Sequence, residues 1–167
     1  MMTPYTPLSG LIAATYTPFN DDGSLAPEQI PPMLSSLITQ GVQGVYVCGS
    51  TGEGMSQTSA EREQVVEASV AGAAGKIPVI VQVGHNSLAE AQRLAAHAQS
   101  AGADAVSAVC PSYYPINGMD VLVDVMAEIA GAAPDKPFYY YHIPALSGVG
   151  LDMVDFLHRA GKSIPNL

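Results

Sequence analysis

Basic side chains are scarce: 6 Lys+Arg stand against 15 Asp+Glu in 167 residues, a formal net charge of −9. A surface that tracks nucleic-acid phosphates needs clustered cations, and none cluster here, so nucleic acid is excluded as a partner. Charge of either sign is also short, at 13% of residues against a usual value of about 25%. The 48% hydrophobic content nevertheless excludes a disordered chain, and the shortage of charge points to a surface partly covered by other protein. No apolar run approaches the ~20 residues of a membrane span, so no membrane partner is expected. The opening Met1-Met2-Thr3-Pro4-Tyr5-Thr6-Pro7 lacks the basic and apolar regions of a secretory signal. The 2 cysteines, Cys48 and Cys110, form neither a metal-ligand spacing nor a disulfide framework. A reducing cytoplasm is the expected compartment, and small buried residues the expected role. Without an H-E-x-x-H motif or a carboxylate–His cluster, no metal site is expected.

What is present is a beat. Short apolar runs recur at the spacing of βαβ units: Leu11–Thr15, Gly44–Cys48, Pro78–Val83, Ala105–Val109 and Phe138–His142. Near-continuous apolar strands of this length suit a parallel sheet buried on both faces. Helical patterns lie between them. Thr58-Ser59-Ala60-Glu61 and Ser87-Leu88-Ala89-Glu90 both read as capping boxes. Leu88, Ala91, Ala95 and Ala98 make one apolar stripe, and Leu122, Val125, Met126 and Ile129 another. Asn117 is placed to cap the second of these helices. Gly102, Gly131 and Gly161 mark expected helix ends. Pro31 and Pro32 move the start of the first helix to Gln29–Pro31.

This alternation defines an α/β chain. A doubly wound sheet and a (β/α)8 TIM barrel both produce it, and the barrel takes about 250 residues. The barrel reading therefore treats residues 1–167 as a single incomplete barrel domain, truncated to about the first five βα units.

In either architecture ligands gather at the carboxyl ends of the strands. Those ends carry Thr15-Tyr16-Thr17-Pro18, Gly49-Ser50-Thr51-Gly52-Glu53-Gly54, Gly84-His85-Asn86-Ser87, Cys110-Pro111-Ser112-Tyr113-Tyr114-Pro115 and His142-Ile143-Pro144-Ala145. Hydroxyl groups dominate. The glycines after the second strand let the backbone aim N–H groups at an anion, and Ser50 and Thr51 add hydroxyl donors. The loop lacks the G-x-x-x-x-G-K-[ST] and G-x-G-x-x-G patterns, and Glu53 would repel a phosphate. A small carboxylate is the better ligand; a plain Gly-rich turn with a Ser/Thr cap is the alternative.

Tyr139 and Tyr141 share one face of the fifth strand and Tyr140 takes the other. Tyr140 reads as a buried ring, whereas Tyr141, last before the Ile143-Pro144 turn, is open to a role as proton shuttle, given a partner that perturbs its phenol. Tyr113 and Tyr114 carry the same two readings. His97 and His158 are expected on the helix surface, while His85 and His142, near strand ends, are expected to pack or hydrogen-bond, with contact to a substrate as the alternative. Lys76, Lys136 and Lys162 precede strands, away from the presumed site, and none suits a Schiff base.

Gly49-Ser50-Thr51-Gly52-Glu53 followed by Tyr141-His142-Ile143-Pro144-Ala145-Leu146-Ser147-Gly148 resembles the N-acetylneuraminate lyase / dihydrodipicolinate synthase family of class I aldolases. Thr17-Pro18-Phe19 and Tyr113-Tyr114-Pro115 stand where the family places them. The resemblance runs from about Gly10 to the last residue. It implies that Ser50 and Thr51 bind the pyruvate carboxylate, that Tyr141 shuttles the proton, and that Tyr113 lends its hydroxyl to a neighbouring subunit of a homotetramer. The Glu53 position is taken as structural. Synthases usually carry an Arg where this chain has Leu146, so the implied reaction is reversible cleavage of N-acetylneuraminate to N-acetylmannosamine and pyruvate, with no separate cofactor. Another 2-oxo acid aldol as substrate, or a non-catalytic half-barrel acting as an assembly partner, are the alternatives. The family's imine-forming lysine lies on a sixth strand, which these residues do not reach. The chain is thus expected to be the N-terminal portion of a lyase, unstable or aggregated and inactive by itself.

Overall fold

The computed structural model describes residues 8–167; the opening segment 1–7, where no secretory signal is expected, lies outside the described residues. Strands form in each of the expected runs: β1 (Ile12–Ala14), β2 (Gly44–Val47), β3 (Val79–Gln82), β4 (Ala105–Ala108) and β5 (Phe138–Tyr140). They belong to one sheet in the order β1-β2-β3-β4-β5. A doubly wound sheet reverses its order at a switch point, whereas a (β/α)8 barrel adds each strand beside the last. The strictly sequential order selects the barrel type. The helices are α1 (Ile30–Thr39), α2 (Ser59–Ala73), α3 (Leu88–Ala101), α4 (Met119–Gly131), the short α5 (Pro144–Ser147) and α6 (Met153–Ser163). The chain divides into two compact units, one ending at Ile80 and the other Val81–Leu167, so the boundary falls inside β3.

In the first unit β1 pairs parallel with β2, Ile12 opposite Gly44 and Ala14 opposite Tyr46. After β1 the chain reverses through Asn20–Ser24, where Gly23 N–H donates to Asn20 O at 2.9 Å and Phe19 bridges Leu25 antiparallel. A 3-10 turn, Pro27–Gln29, leads into α1. Pro31 and Pro32 fall in its first turn, where N–H groups have no intrahelical acceptor to lose. Ile30, Leu34, Val45, Val47, Val65, Val66 and Val79, all at most 3% exposed, form this unit's core. The expected capping box at Thr58 is complete: its hydroxyl accepts from Glu61 N–H at 3.3 Å, and Glu61 Oε2 accepts from Thr58 N–H at 2.8 Å.

In the second unit β4 pairs parallel with β5, Val106 opposite Phe138 and Ala108 opposite Tyr140. Ser87 caps α3 through Glu90 N–H, but the expected box is only half made. Ser87 N–H donates to His85 Nδ1 at 2.9 Å, and Glu90 turns instead to Arg93 at 3.2 Å. Ala91, Leu94, Ala95 and Ala98 are the buried stripe of α3, with Leu88 only half-buried. In α4 the stripe is Leu122, Val123, Met126 and Ile129; Val123 replaces the expected Val125. Asn117 does not cap α4: Gly118 holds that position without a side-chain bond. Gly102 ends α3 in the left-handed region, φ +91°, as expected. Gly131 also marks an end, as the last residue of α4, whereas Gly161 lies inside α6.

A buried asparagine takes over the stop after α4. Asn166 Nδ2 donates to the carbonyls of Lys136 (2.8 Å), Ala133 (3.2 Å) and Ala130 (3.4 Å), while its own carbonyl accepts from Phe138 N–H at 2.7 Å. The Ala130 and Ala133 carbonyls also accept from Ala133 N–H (3.1 Å) and Lys136 N–H (3.2 Å), so Asn166 reinforces the turn that follows α4. Asp152 caps α6 through Asp155 N–H at 2.9 Å, and Arg159 joins Asp155 to Asp120, both at 2.8 Å.

The capping box generates a prediction for stability. Thr58→Ala should lower unfolding free energy by about 1 kcal/mol, read as the urea midpoint. The Thr58 N–H and hydroxyl hold the Glu61 carboxyl below its ordinary range. Its contribution is therefore complete above that ordinary range and disappears as pH falls through the lowered value. The wild-type advantage over Thr58→Ala should shrink in acid; an equal midpoint at pH 7 would discard the box as a stabilising element.

Candidate active site

The loop after β2 is built from the backbone outward. Cys48 and Glu53 both adopt the left-handed conformation, with φ of +57° and +55°, rare for residues with a side chain. Gly54 N–H donates to Gly49 O and Glu53 N–H to Ser50 O, each at 3.1 Å, closing the loop on itself. A Cβ on Gly54 would overlap the Cys48 carbonyl oxygen, so only glycine allows this approach. Beneath the loop Cys48 is 1% exposed beside the buried Arg62. Burial pushes the Cys48 thiol up to about 11, against the opposing pull of the Arg62 charge. Burial likewise lowers the Arg62 guanidinium from its usual value.

Ser50 and Thr51 are exposed at the crown of this loop. The N–H groups of Thr51 and Gly52, and the Thr51 hydroxyl, make no hydrogen bond among the described residues. Behind them Gly52 O accepts from Thr17 Oγ1 at 2.7 Å and from Gln57 Nε2 at 2.6 Å. The Thr51 and Gly52 N–H groups and the Thr51 hydroxyl are thus unspent, while the Gly52 carbonyl is fully engaged. This arrangement suits a small anion.

In the second unit, Asn86 after β3 organises the loop after β4. Its Oδ1 accepts from Ser112 N–H and Tyr113 N–H, both at 3.0 Å. Pro111, Tyr113, Tyr114 and Asn86 line an open recess of about 280 Å3. Tyr113 and Tyr114 are 75% and 82% exposed, and their rings meet edge to face with centroids 5.0 Å apart. Close approach of β3 and β4 depends on Gly84, whose N–H donates to the buried Gln82 side chain and whose missing Cβ would strike Val109 O.

Of the three consecutive tyrosines, Tyr139 is exposed, whereas Tyr140, expected as a buried ring, is only half-buried because it ends β5 at the sheet rim. Tyr140 packs on Phe156 at 4.8 Å, with its hydroxyl 3.5 Å from Cys110 Sγ. Burial pushes its phenol far up, with the Cys110 contact adding to the shift. Burial also raises Tyr139. Tyr141, half-buried, extends the ladder by donating its N–H to Ala108 O at 2.9 Å. The next turn is locked by Ser147 Oγ on Ile143 O at 3.0 Å, leaving Leu146 65% exposed.

The structure therefore puts Ser50 and Thr51 side by side on one loop of the first unit. Tyr113 and Tyr141 follow adjacent strands of the second. Thr17 and Asn86 stood in the strand-end segments without an assigned role, and Gln57 went unnoticed; a glutamine just outside a Gly-rich loop was its one signal. Of the histidines, His158 is exposed as expected, while His97 is half-buried, because its helix turns that position toward the interior. His142 lies 5.8 Å from the Tyr140 ring, its Nδ1 buried without a partner among the described residues. Those residues contain no group of His, Cys, Asp or Glu able to hold a metal, and no helix long and apolar enough to cross a membrane.

A sheet in strictly sequential order, its strands alternating with helices, defines the class of α/β barrel proteins. Within it, the chain belongs to the dihydrodipicolinate synthetase family, which it matches over residues 7–162. It is 44% identical to N-acetylneuraminate lyase A of Xenopus laevis over 161 residues, covering 95% of this chain and 53% of that protein. The solved N-acetylneuraminate lyase of Proteus mirabilis superposes with a TM-score of 0.94 at 42% identity, covering 97% of this chain and 55% of that one. Dihydrodipicolinate synthase of Aquifex aeolicus gives 0.89 at 32% identity, over 96% and 53%. The chain thus spans about half the length of the relatives it matches, and in this family the five βα units are those of an incomplete TIM barrel.

The loop yields two expected outcomes. Gly54→Ala should cost about 1–3 kcal/mol of stability, the scale of overpacking, in urea unfolding; a neutral result would show that the loop yields freely. Cys48 should resist iodoacetamide at pH 8 until the protein is unfolded, because a thiol near 11 is ionised in only about a thousandth of molecules there. Modification of Cys48 in the folded protein would contradict this burial.

Proposed function

We propose that this chain supplies the keto-acid-binding part of a Schiff-base aldolase that cleaves N-acetylneuraminate reversibly to N-acetylmannosamine and pyruvate. The observation that carries the reading is the reserve of donors at Thr51 and Gly52 on a loop whose back is pinned. A carboxylate accepts several such bonds, and donors held in place beforehand lose nothing to reorganisation when it arrives. Ser50 and Thr51 bind that carboxylate. Tyr141, which follows β5, moves the proton between the sugar hydroxyl and the pyruvyl part as the carbon–carbon bond breaks or forms. Tyr113, with its ring in solvent, is suited to reach a neighbouring copy in a homotetramer.

The amine that captures the keto group as an imine is assigned to a lysine outside these 167 residues. None of the lysines present is placed to act as that amine, since Lys76 and Lys162 are exposed and Lys136 lies in the turn before β5. The sialic-acid relatives support the lyase over the synthase, and so does the aliphatic, exposed Leu146 where synthases usually have an Arg. The same reading takes the protein as cytoplasmic, in keeping with the free, buried Cys48 and Cys110.

Protein made from the intact gene, treated with pyruvate and borohydride, should acquire a covalent adduct on a lysine beyond Leu167 and should cleave N-acetylneuraminate. An adduct without cleavage would transfer the assignment to another 2-oxo acid aldol. Tyr141→Phe should lower kcat by about 100-fold or more, the usual scale for loss of a proton-transfer group, while pyruvate still forms the adduct. An unchanged kcat would remove Tyr141 from the chemistry.

A further inference from the structure

Three side-chain and backbone atoms meet behind the Ser50-Thr51 loop. Thr17 Oγ1 donates to Gly52 O at 2.7 Å; Gln57 Nε2 donates to the same oxygen at 2.6 Å and to Thr17 Oγ1 at 3.0 Å. Both side chains are buried, at 8% and 9% exposure. Bond directions follow from chemistry alone. A carbonyl only accepts, so the Thr17 hydroxyl gives its proton to Gly52, and Gln57 turns its NH2 inward. That orientation leaves Gln57 Oε1 buried without a donor among the described residues. A buried acceptor with no donor is costly, and an apolar side chain of similar size would fill the same space without that cost but would take one donor from the Gly52 carbonyl. Packing therefore does not account for a glutamine here.

The clamp acts on a glycine, the residue with the widest backbone freedom. The Gly52–Glu53 peptide is held at both ends, its carbonyl by Thr17 and Gln57 and its N–H by Ser50 O at 3.1 Å. Space around Gly52 is equally restricted: a Cβ there would lie 3.0 Å from Thr15 O and 3.3 Å from Thr17 Oγ1. The next N–H groups back along the chain are those of Gly52 and Thr51, the donors left unspent.

We propose that Thr17 and Gln57 are positioning residues for the substrate carboxylate, acting through the Gly52 carbonyl to hold the Thr51 and Gly52 N–H groups where that carboxylate meets them. The proposal rests on the aldolase reading above. Neither side chain touches substrate. Their effect belongs to binding of the keto acid rather than to proton transfer at Tyr141.

The test uses protein from the intact gene, with pyruvate as the probe. Half-saturating pyruvate is read from borohydride trapping, and KM and kcat from N-acetylneuraminate cleavage. Thr17→Val and Gln57→Met should each raise half-saturating pyruvate by about tenfold, the scale of one lost hydrogen bond. KM should rise with it, while kcat falls by less than roughly threefold. Thr17→Ser, which keeps the hydroxyl, should restore most of the affinity lost in Thr17→Val. The double variant should lose little more than either single one, because both act on one oxygen.

Should Thr17→Val fail to fold, Gln57→Met and the pyruvate affinity of Thr17→Ser carry the test. Wild-type half-saturation in Gln57→Met, or a loss that falls on kcat instead of KM, overturns the clamp while leaving the aldolase reading intact. Wild-type protein that forms no adduct with pyruvate overturns both.

Discussion

A backbone carbonyl taken out of water has to be met by donors, because the cost of leaving it bare rivals the stability of a whole helix cap. The loop after β2 is organised around one such oxygen, that of Gly52. Thr17 and Gln57 converge on it from positions 35 and 5 residues away. Once that oxygen is turned inward, the rest follows: Glu53 is driven into the left-handed region, Gly54 is pressed against Cys48, and the exposed side of the loop is left with hydroxyls and N–H groups. The carboxylate site proposed there needs no lysine or arginine at its surface. In a chain with 6 basic residues, that is the kind of site the composition permits.

The second unit solves the same problem with amides of asparagine. Asn86 offers one oxygen to two successive N–H groups of the loop after β4, and Asn166 offers one NH2 to three carbonyls at and beyond the end of α4. Each side chain adds to the backbone bonds of an irregular segment. The loops that carry Tyr113 and lead into β5 are thereby tied to residues distant in sequence. Their geometry is a property of the folded unit rather than of the local segment.

Tyr140 and Tyr141 show how neighbours of identical chemistry acquire different roles. Alternation along the strand sends them to opposite faces. One is packed on Phe156 with its hydroxyl against a thiol, its ionisation suppressed by burial. The other follows the strand, where the proposed mechanism places proton transfer.

Strand positions, the stripe of α3, the Thr58 box and the hydroxyl-rich strand ends were all legible in the amino-acid sequence. Each depends on residues within a few positions of one another, where periodicity and capping chemistry act directly. The resemblance carried by Gly49–Glu53 and Tyr141–Gly148 was legible for the same reason, being made of contiguous motifs. Sheet order was not, since alternation of strands and helices is common to two architectures and only the pairing of β1 through β5 distinguishes them. Nor were the half-made box at Ser87, the missing cap at Asn117 or the roles of Thr17, Gln57, Asn86 and Asn166. A hydrogen bond forms with whichever partner the fold brings nearest: the Ser87 N–H takes the His85 imidazole, and the Thr17, Gln57, Asn86 and Asn166 side chains take backbone groups.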